Sequence, residues 1–106
     1  VKMGIRISDG VTIPTTFAMS QNYPNPFNPV THFTVDLPRA TEVEVAVYDL
    51  LGRKIASLLS GSQVAGQYTL KWDGRDANGV VAPTGMYMIR LSSDEFTATQ
   101  KVMLMK

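Results

Sequence analysis

Apolar and polar residues alternate with a period of two along most of this chain, the pattern of strands with one buried face. From Thr31 to Leu37, Thr31, Phe33, Val35 and Leu37 share one face, and His32, Thr34 and Asp36 share the other. Val43, Val45 and Val47 alternate with Glu42, Glu44, Ala46 and Tyr48. Tyr68, Leu70 and Trp72 alternate with Gln67, Thr69 and Lys71, the clearest run of all. Tyr87, Ile89 and Leu91 alternate with Met86, Met88, Arg90 and Ser92, and a long last strand runs from Phe96 to Met105. Turn chemistry separates these runs. Gly52 follows Asp49-Leu50-Leu51, Gly61 and Gly66 bracket a loop, Asp73-Gly74 and Asn78-Gly79 share one connection, and Pro83-Thr84-Gly85 makes another. Such dipeptides favour tight turns because their residues tolerate positive φ. Short strands with regular turn signals predict an all-β antiparallel sandwich.

Leu50, Leu51, Ile55, Leu58 and Leu59 have a spacing that suits a short helix as well as a turn followed by a strand. Gly52 and the flanking strands favour the second reading. Val1 to Ser20 is weakly patterned, and reads either as a linker from a preceding domain or as an added edge strand. The chain is divided accordingly into a linker at residues 1–16 and a sandwich at residues 17–106.

The run Asn22-Tyr23-Pro24-Asn25-Pro26-Phe27-Asn28-Pro29 stands apart. Pro24, Pro26 and Pro29 fix φ and remove three backbone donors, and each residue before them is pushed toward extended backbone. A stiff ribbon crossing a surface is expected, with Tyr23 and Phe27 anchoring it by burying apolar area.

At 106 residues the chain is long enough for one core but not for two. A net charge of +1, with Arg53-Lys54 the only adjacent basic pair, leaves no basic stripe, so nucleic acid and direct membrane insertion are not expected. Cysteine is absent, which excludes disulfides and thiol chemistry. No apolar run reaches membrane-spanning length, and Val1-Lys2-Met3-Gly4-Ile5 lacks a signal-peptide core, so an exported parent would carry its signal upstream.

Candidate chemistry is sparse, and no cofactor is expected. His32 is the only histidine and falls on a polar face with no nucleophile or carboxylate beside it. Asp73, Asp76 and Asn78 supply oxygens in a loop that resembles a calcium site, but Arg75 occupies the third position and Thr84 the twelfth. A structural turn with Asp73 and Asp76 accepting from backbone amides is the favoured reading. Trp72 and Tyr68 have core spacing; exposure of Trp72, Tyr48 or Tyr87 would instead suggest a carbohydrate platform. Met86 with Met88, and Met103 with Met105, each share a face, as core filler or as an adaptable partner-binding surface.

Several blocks then resemble the type A C-terminal sorting domains of the type IX (Por) secretion system of Bacteroidetes. They are Gln21 through Pro29 (Tyr23, Pro24, Asn25, Pro26, Phe27, Asn28, Pro29), Val47 through Arg53 with Gly52, Ala65-Gly66, Trp72 through Asp76, Gly79, Gly85-Met86-Tyr87, and Lys101-Val102-Met103-Leu104-Met105-Lys106. The middle and late blocks are shared with the immunoglobulin-like domain of the flagellar-hook capping family. The resemblance implies an immunoglobulin-like sandwich of about seven strands. It further implies a non-enzymatic secretion signal at the end of a larger cargo protein, passing through the periplasm to the cell surface. Its partners would be the type IX translocon and a sortase-like protease, with cleavage near Val11 to Ser20 and Lys106 as the native terminus. The last strand would lie at an open sheet edge, read by strand addition, with Lys101 and Lys106 guarding against all but a weak edge-strand dimer. Two alternatives are an immunoglobulin-like spacer or attachment module, and a carbohydrate-binding module of a secreted glycoside hydrolase.

Overall fold

The computed structural model describes residues 5–8, 11–28 and 30–105. Strands β1 (Ile5–Ser8) and β2 (Val11–Pro14) pair antiparallel in a small sheet of their own. Seven further strands form the sandwich: β3 (Ala18–Met19), β4 (Thr31–Leu37), β5 (Thr41–Tyr48), β6 (Lys54–Gln63), β7 (Gly66–Trp72), β8 (Gly85–Ser93) and β9 (Thr97–Leu104). One sheet has the order β3-β4-β7 and the other β6-β5-β8-β9, with every ladder antiparallel. The seven-stranded immunoglobulin-like sandwich expected from the sequence is therefore the observed fold, and no helix occurs among the described residues.

Alternation decides which side chains meet between the sheets. Phe33, Val35 and Leu37 of β4 face Val43, Val45 and Val47 of β5, Tyr87, Ile89 and Leu91 of β8, and Val102 and Leu104 of β9. Each such side chain contributes roughly 1.5–3 kcal/mol on leaving water. Two loops at the end opposite Trp72 are tied by stacking. Phe17 lies on Phe96 with centroids 5.5 Å apart, and Arg39, ion-paired to Glu95, sits 5.4 Å above the Phe17 ring.

The segment after Leu50 is a turn leading into a strand rather than a helix. Ten residues of β6 oppose eight of β5 because two bulges, at Ile55 and Leu58, each add an unpaired residue. That extra length carries β6 through Gly61, which keeps its ladder partner Val43 at φ +102°. The expected loop from Gly61 to Gly66 therefore contracts to Val64-Ala65. The last strand is likewise one residue shorter at each end than Phe96 to Met105.

The methionines of β8 and β9 are not core filler. On β8 and β9 the inward positions belong to Tyr87, Ile89, Leu91, Val102 and Leu104. Met86, Met88 and Met103 take the alternate, outward positions and are half-buried there.

Ile89 is fully buried at the centre of the larger sheet. Ile89→Ala is expected to lower the unfolding free energy by about 2–5 kcal/mol, seen as a lower urea midpoint at unchanged slope.

Candidate functional site

The proline-rich ribbon crosses from one sheet to the other and closes the side of the sandwich at β9. It starts against β4, where the Tyr23 amide donates to His32 O (2.8 Å) and the His32 amide to Tyr23 O (2.9 Å). The chain bends at Pro24, Asn25 and Pro26, with cis peptide bonds before both prolines. It then meets β9. The Phe27 amide donates to Met103 O (2.9 Å), and the Met105 amide donates to Phe27 O (3.0 Å). Asn25 supplies both halves of its amide: Oδ1 accepts from the Met103 amide (3.0 Å) and Nδ2 donates to Lys101 O (3.4 Å). Gln100 reaches back, its Oε1 accepting from the Asn22 amide and its Nε2 donating to Ser20 O.

These bonds occupy the outward-facing groups of Lys101 and Met103 that the sequence reading left free. The edge of β9 is not an open template there. A proline ribbon suits this position because it can satisfy one strand while offering few donors of its own to another.

Of the two expected anchors only Phe27 serves. Its ring is buried 5.4 Å from Trp72, which meets the edge of Tyr87 at 5.1 Å. Tyr23 is 79% exposed, because its partner His32 lies on the solvent face of β4 and paired residues share a face. Trp72 Nε1 donates to Arg75 O (2.9 Å) and Tyr87 Oη to Pro83 O (2.6 Å), so both aromatic polar atoms are satisfied. Burial, and secondarily the charge of Asp49, push the Tyr87 hydroxyl's pKa upward. Neither ring forms the exposed platform that sugar binding would need. Gly74, at φ +76°, lies under the same cluster, where a Cβ would stand 3.2 Å from a Leu104 methyl. Val102 and Leu104 are buried, Gly85 opens β8 opposite Leu104, and Lys101 is exposed. Asn28 is exposed; Pro29 and Lys106 lie outside the described residues.

Beside this cluster two loops repeat one backbone device. In Asp49-Leu50-Leu51-Gly52-Arg53 the Asp49 amide donates to Arg53 O and the Gly52 amide to Asp49 O. Asp49 Oδ1 accepts from the Leu51 and Arg53 amides, both at 2.9 Å. In Asp76-Ala77-Asn78-Gly79-Val80 the Asp76 amide donates to Val80 O and the Gly79 amide to Asp76 O. Asp76 Oδ1 accepts from the Asn78 and Val80 amides, again at 2.9 Å. The glycines take matching positive φ, +84° and +80°, so Asp at the first and Gly at the fourth position is the shared requirement. The recurring Asp-x-x-Gly spacing is the sequence signal for this device.

Of the proposed ion ligands, Asp73 and Asp76 are thus engaged by backbone amides. Asp73 Oδ1 accepts from the Arg75 amide (3.1 Å), and Arg75 Nη1 donates across the loop to Gly79 O (3.0 Å). Among the described residues no cluster of three acidic, histidine or cysteine side chains could hold a metal. The two loops border a cavity of about 450 Å³ lined by Asp49, Arg53, Ile55, Asp76, Val80 and Tyr87, and they expose Leu50, Leu51, Val80 and Val81.

Residues 21–95 match the family described as the FlgD Ig-like domain. The basal-body rod modification protein FlgD of Salmonella typhimurium is 30% identical over 90 residues, covering 82% of this chain and 39% of that protein. The chain thus spans about two-fifths of the length of the curated relatives it matches. Among solved structures, FlgD from P. aeruginosa is 29% identical, with a TM-score of 0.52 over 71% of this chain and 60% of that one. Dimeric latent PorU from Porphyromonas gingivalis gives a TM-score of 0.64 over 93% of this chain and 10% of its own, at 21% identity.

These findings overturn the sorting-signal expectation. Both the matching family and the curated relatives are flagellar, so they do not indicate a type IX translocon, a sortase-like protease or a Bacteroidetes secretion role. The PorU likeness, at its low identity, expresses the shared sandwich. The blocks that suggested sorting are largely those that build the sandwich: Phe27, Trp72, Tyr87, Val102 and Leu104 are interior, and Gly52 closes a loop. Neither the spacer nor the carbohydrate-module alternative draws support from these relatives.

The amide of Arg53 first of all, with the Arg53 guanidinium and the Leu51 amide also bonding to it, holds the Asp49 carboxyl below its ordinary value of 3.8. A lowered carboxyl adds stability above that value and loses it as pH falls through the lower, folded-state value. Urea midpoints should therefore decline below about pH 4, and Asp49→Asn should show a shallower decline. Gly79→Ala, forced into positive φ, should cost about 1–2 kcal/mol by the same assay.

Proposed function

This chain belongs to the FlgD Ig-like domain family, and from that membership we propose that it is a non-enzymatic assembly module of a flagellar hook-capping or rod-modification protein. The observation that carries this reading is the 30% identity with the Salmonella protein over 82% of this chain. The solved FlgD structure from Xanthomonas campestris, described there as giving insight into hook capping essential for flagellar assembly, has the same fold.

The chemistry of the chain suits such a role. The carboxylates of Asp49, Asp73 and Asp76 hold loop backbone in place, which stiffens a surface rather than preparing a reaction. Those loops present Leu50, Leu51, Val80 and Val81 to solvent, and apolar groups on rigid loops are suited to protein contacts. In this reading residues 17–106 are the module, residues 1–16 lead into it, and the site of action lies outside the cytoplasm.

Deletion of residues 17–106 from the parent gene in its own bacterium is the direct test. Loss of swimming, with hooks absent by electron microscopy and the truncated protein still detectable, is the expected result. Normal hooks and normal swimming would overturn the assignment.

A further inference from the structure

In this sandwich the two solvent faces differ in kind. Outward positions of β4 and β7 in the smaller sheet are polar: His32, Thr34 and Asp36 on β4, and Gln67, Thr69 and Lys71 on β7. An antiparallel sheet with one solvated face should look like this. The larger sheet departs from the rule at one place. Tyr48 on β5 lies opposite Met88 on β8, and Met86 on β8 lies opposite Met103 on β9, all on the outward face and all half-buried. Met105, two positions further on, is 49% exposed. Tyr48, Met86, Met88 and Met103 each keep part of their surface open to solvent.

From this contrast we infer that the strip of Tyr48, Met86, Met88 and Met103 is a docking surface for an acidic amphipathic helix of a partner protein. The inference deepens the assembly-module reading and rests on it. Shape selects the helix. Three neighbouring strands span about 10 Å, and two outward rows along a strand about 7 Å, which together match the width of one helix and little more than one turn. An added strand fits less well, since the nearest edge, at Lys101 and Met103 of β9, is already taken by the proline ribbon. Thioether side chains can reshape around an apolar ridge pressed onto them. A cavity of about 270 Å³ lined by Tyr48, Gly52, Met88, Arg90, Thr97 and Thr99 offers room for an inserted side chain.

Charge selects the acid. Lys101 stands opposite Met88, and Arg90 follows two positions after it on the same face; both are exposed. Neither belongs to any of the ion pairs among the described residues, which join Arg39 to Glu95, Arg53 to Asp49 and Lys54 to Glu44. Of the carboxylates on this face of β5, Glu44 is paired with Lys54, and Glu42 lies near the far end of the strand from Tyr48 and the methionines. The uncompensated charge beside the methionines is therefore positive. Carboxylates flanking an apolar stripe would complement it.

Fluorescence anisotropy of the chain with a labelled Leu/Glu amphipathic helix of about five turns, against a Leu/Lys counterpart, tests this. The acidic peptide should bind and the basic one should not. Lys101→Glu should weaken binding about tenfold, and raised salt should weaken it too. Met88→Ser should also weaken it, with both variants checked for an unchanged urea midpoint. Failure of the acidic peptide to bind, equal binding of the two peptides, or sedimentation showing self-association that Met88→Ser abolishes would each overturn the inference. If binding fails while hook assembly still depends on residues 17–106, only this surface is lost; if that dependence is absent as well, the assembly reading falls with it.

Discussion

Phe27 enters the interior beside Trp72, and Trp72 in turn meets Tyr87 edge-on, so a residue from a loop, one from each sheet and the strap over β9 are held by a single aromatic contact chain. Such pairs add about 0.5–1.5 kcal/mol beyond the area they bury. Much else hangs on where this puts the backbone. With the Phe27 ring seated, its amide and carbonyl come into register with Met103 and Met105, and Asn25 is placed to bond both Met103 and Lys101. At Gly74 the backbone takes φ +76°, and a Cβ there would crowd a Leu104 methyl at 3.2 Å. An edge that would otherwise offer unpaired groups is closed by a segment whose prolines cannot extend the sheet further.

The opposite side is managed by other means. Strand β6 is long and, among the described residues, has β5 as its only ladder partner, but two bulges interrupt its register, and the Ala77 amide caps the Ile55 carbonyl. Bulges twist an edge away from flat pairing. The loop that provides the cap is one of the two Asp-x-x-Gly-x loops, so a single five-residue device both turns the chain and guards a strand. Rigid loops of this kind let the module hold apolar residues in water without local collapse.

The FlgD relatives and the PorU structure share this sandwich, so blocks that build it point to the fold before they point to a function. Aromatics, glycines and aspartates at these positions meet needs of the scaffold: seating the strap, permitting positive φ, and bonding loop amides. Residues selected by such needs mark a fold wherever it occurs. Function has to be read from surfaces, where the two sheets differ most: polar on β4 and β7, methionine-rich and cationic on β8 and β9.

What the amino-acid order alone determined was local. Period-two alternation set which side of each strand is apolar, since successive side chains must point to opposite faces, and this placed Val35, Val45, Ile89 and Trp72 in the interior. Aspartate and glycine spacing set the turns, because few residues accept positive φ. What alternation could not reveal is which neighbours each face meets. Tyr23 and Phe27 looked equivalent as anchors until the pairing with His32 turned one to solvent and the contact with Trp72 buried the other. The final strand looked like an open edge until a segment 78 positions away in the chain was brought alongside it, with Asn22 bonded to Gln100 and Asn25 to Met103. Contacts across such separations arise only from the packed sheets, since no local preference encodes them, and they decided which parts of this chain are scaffold and which remain free to bind.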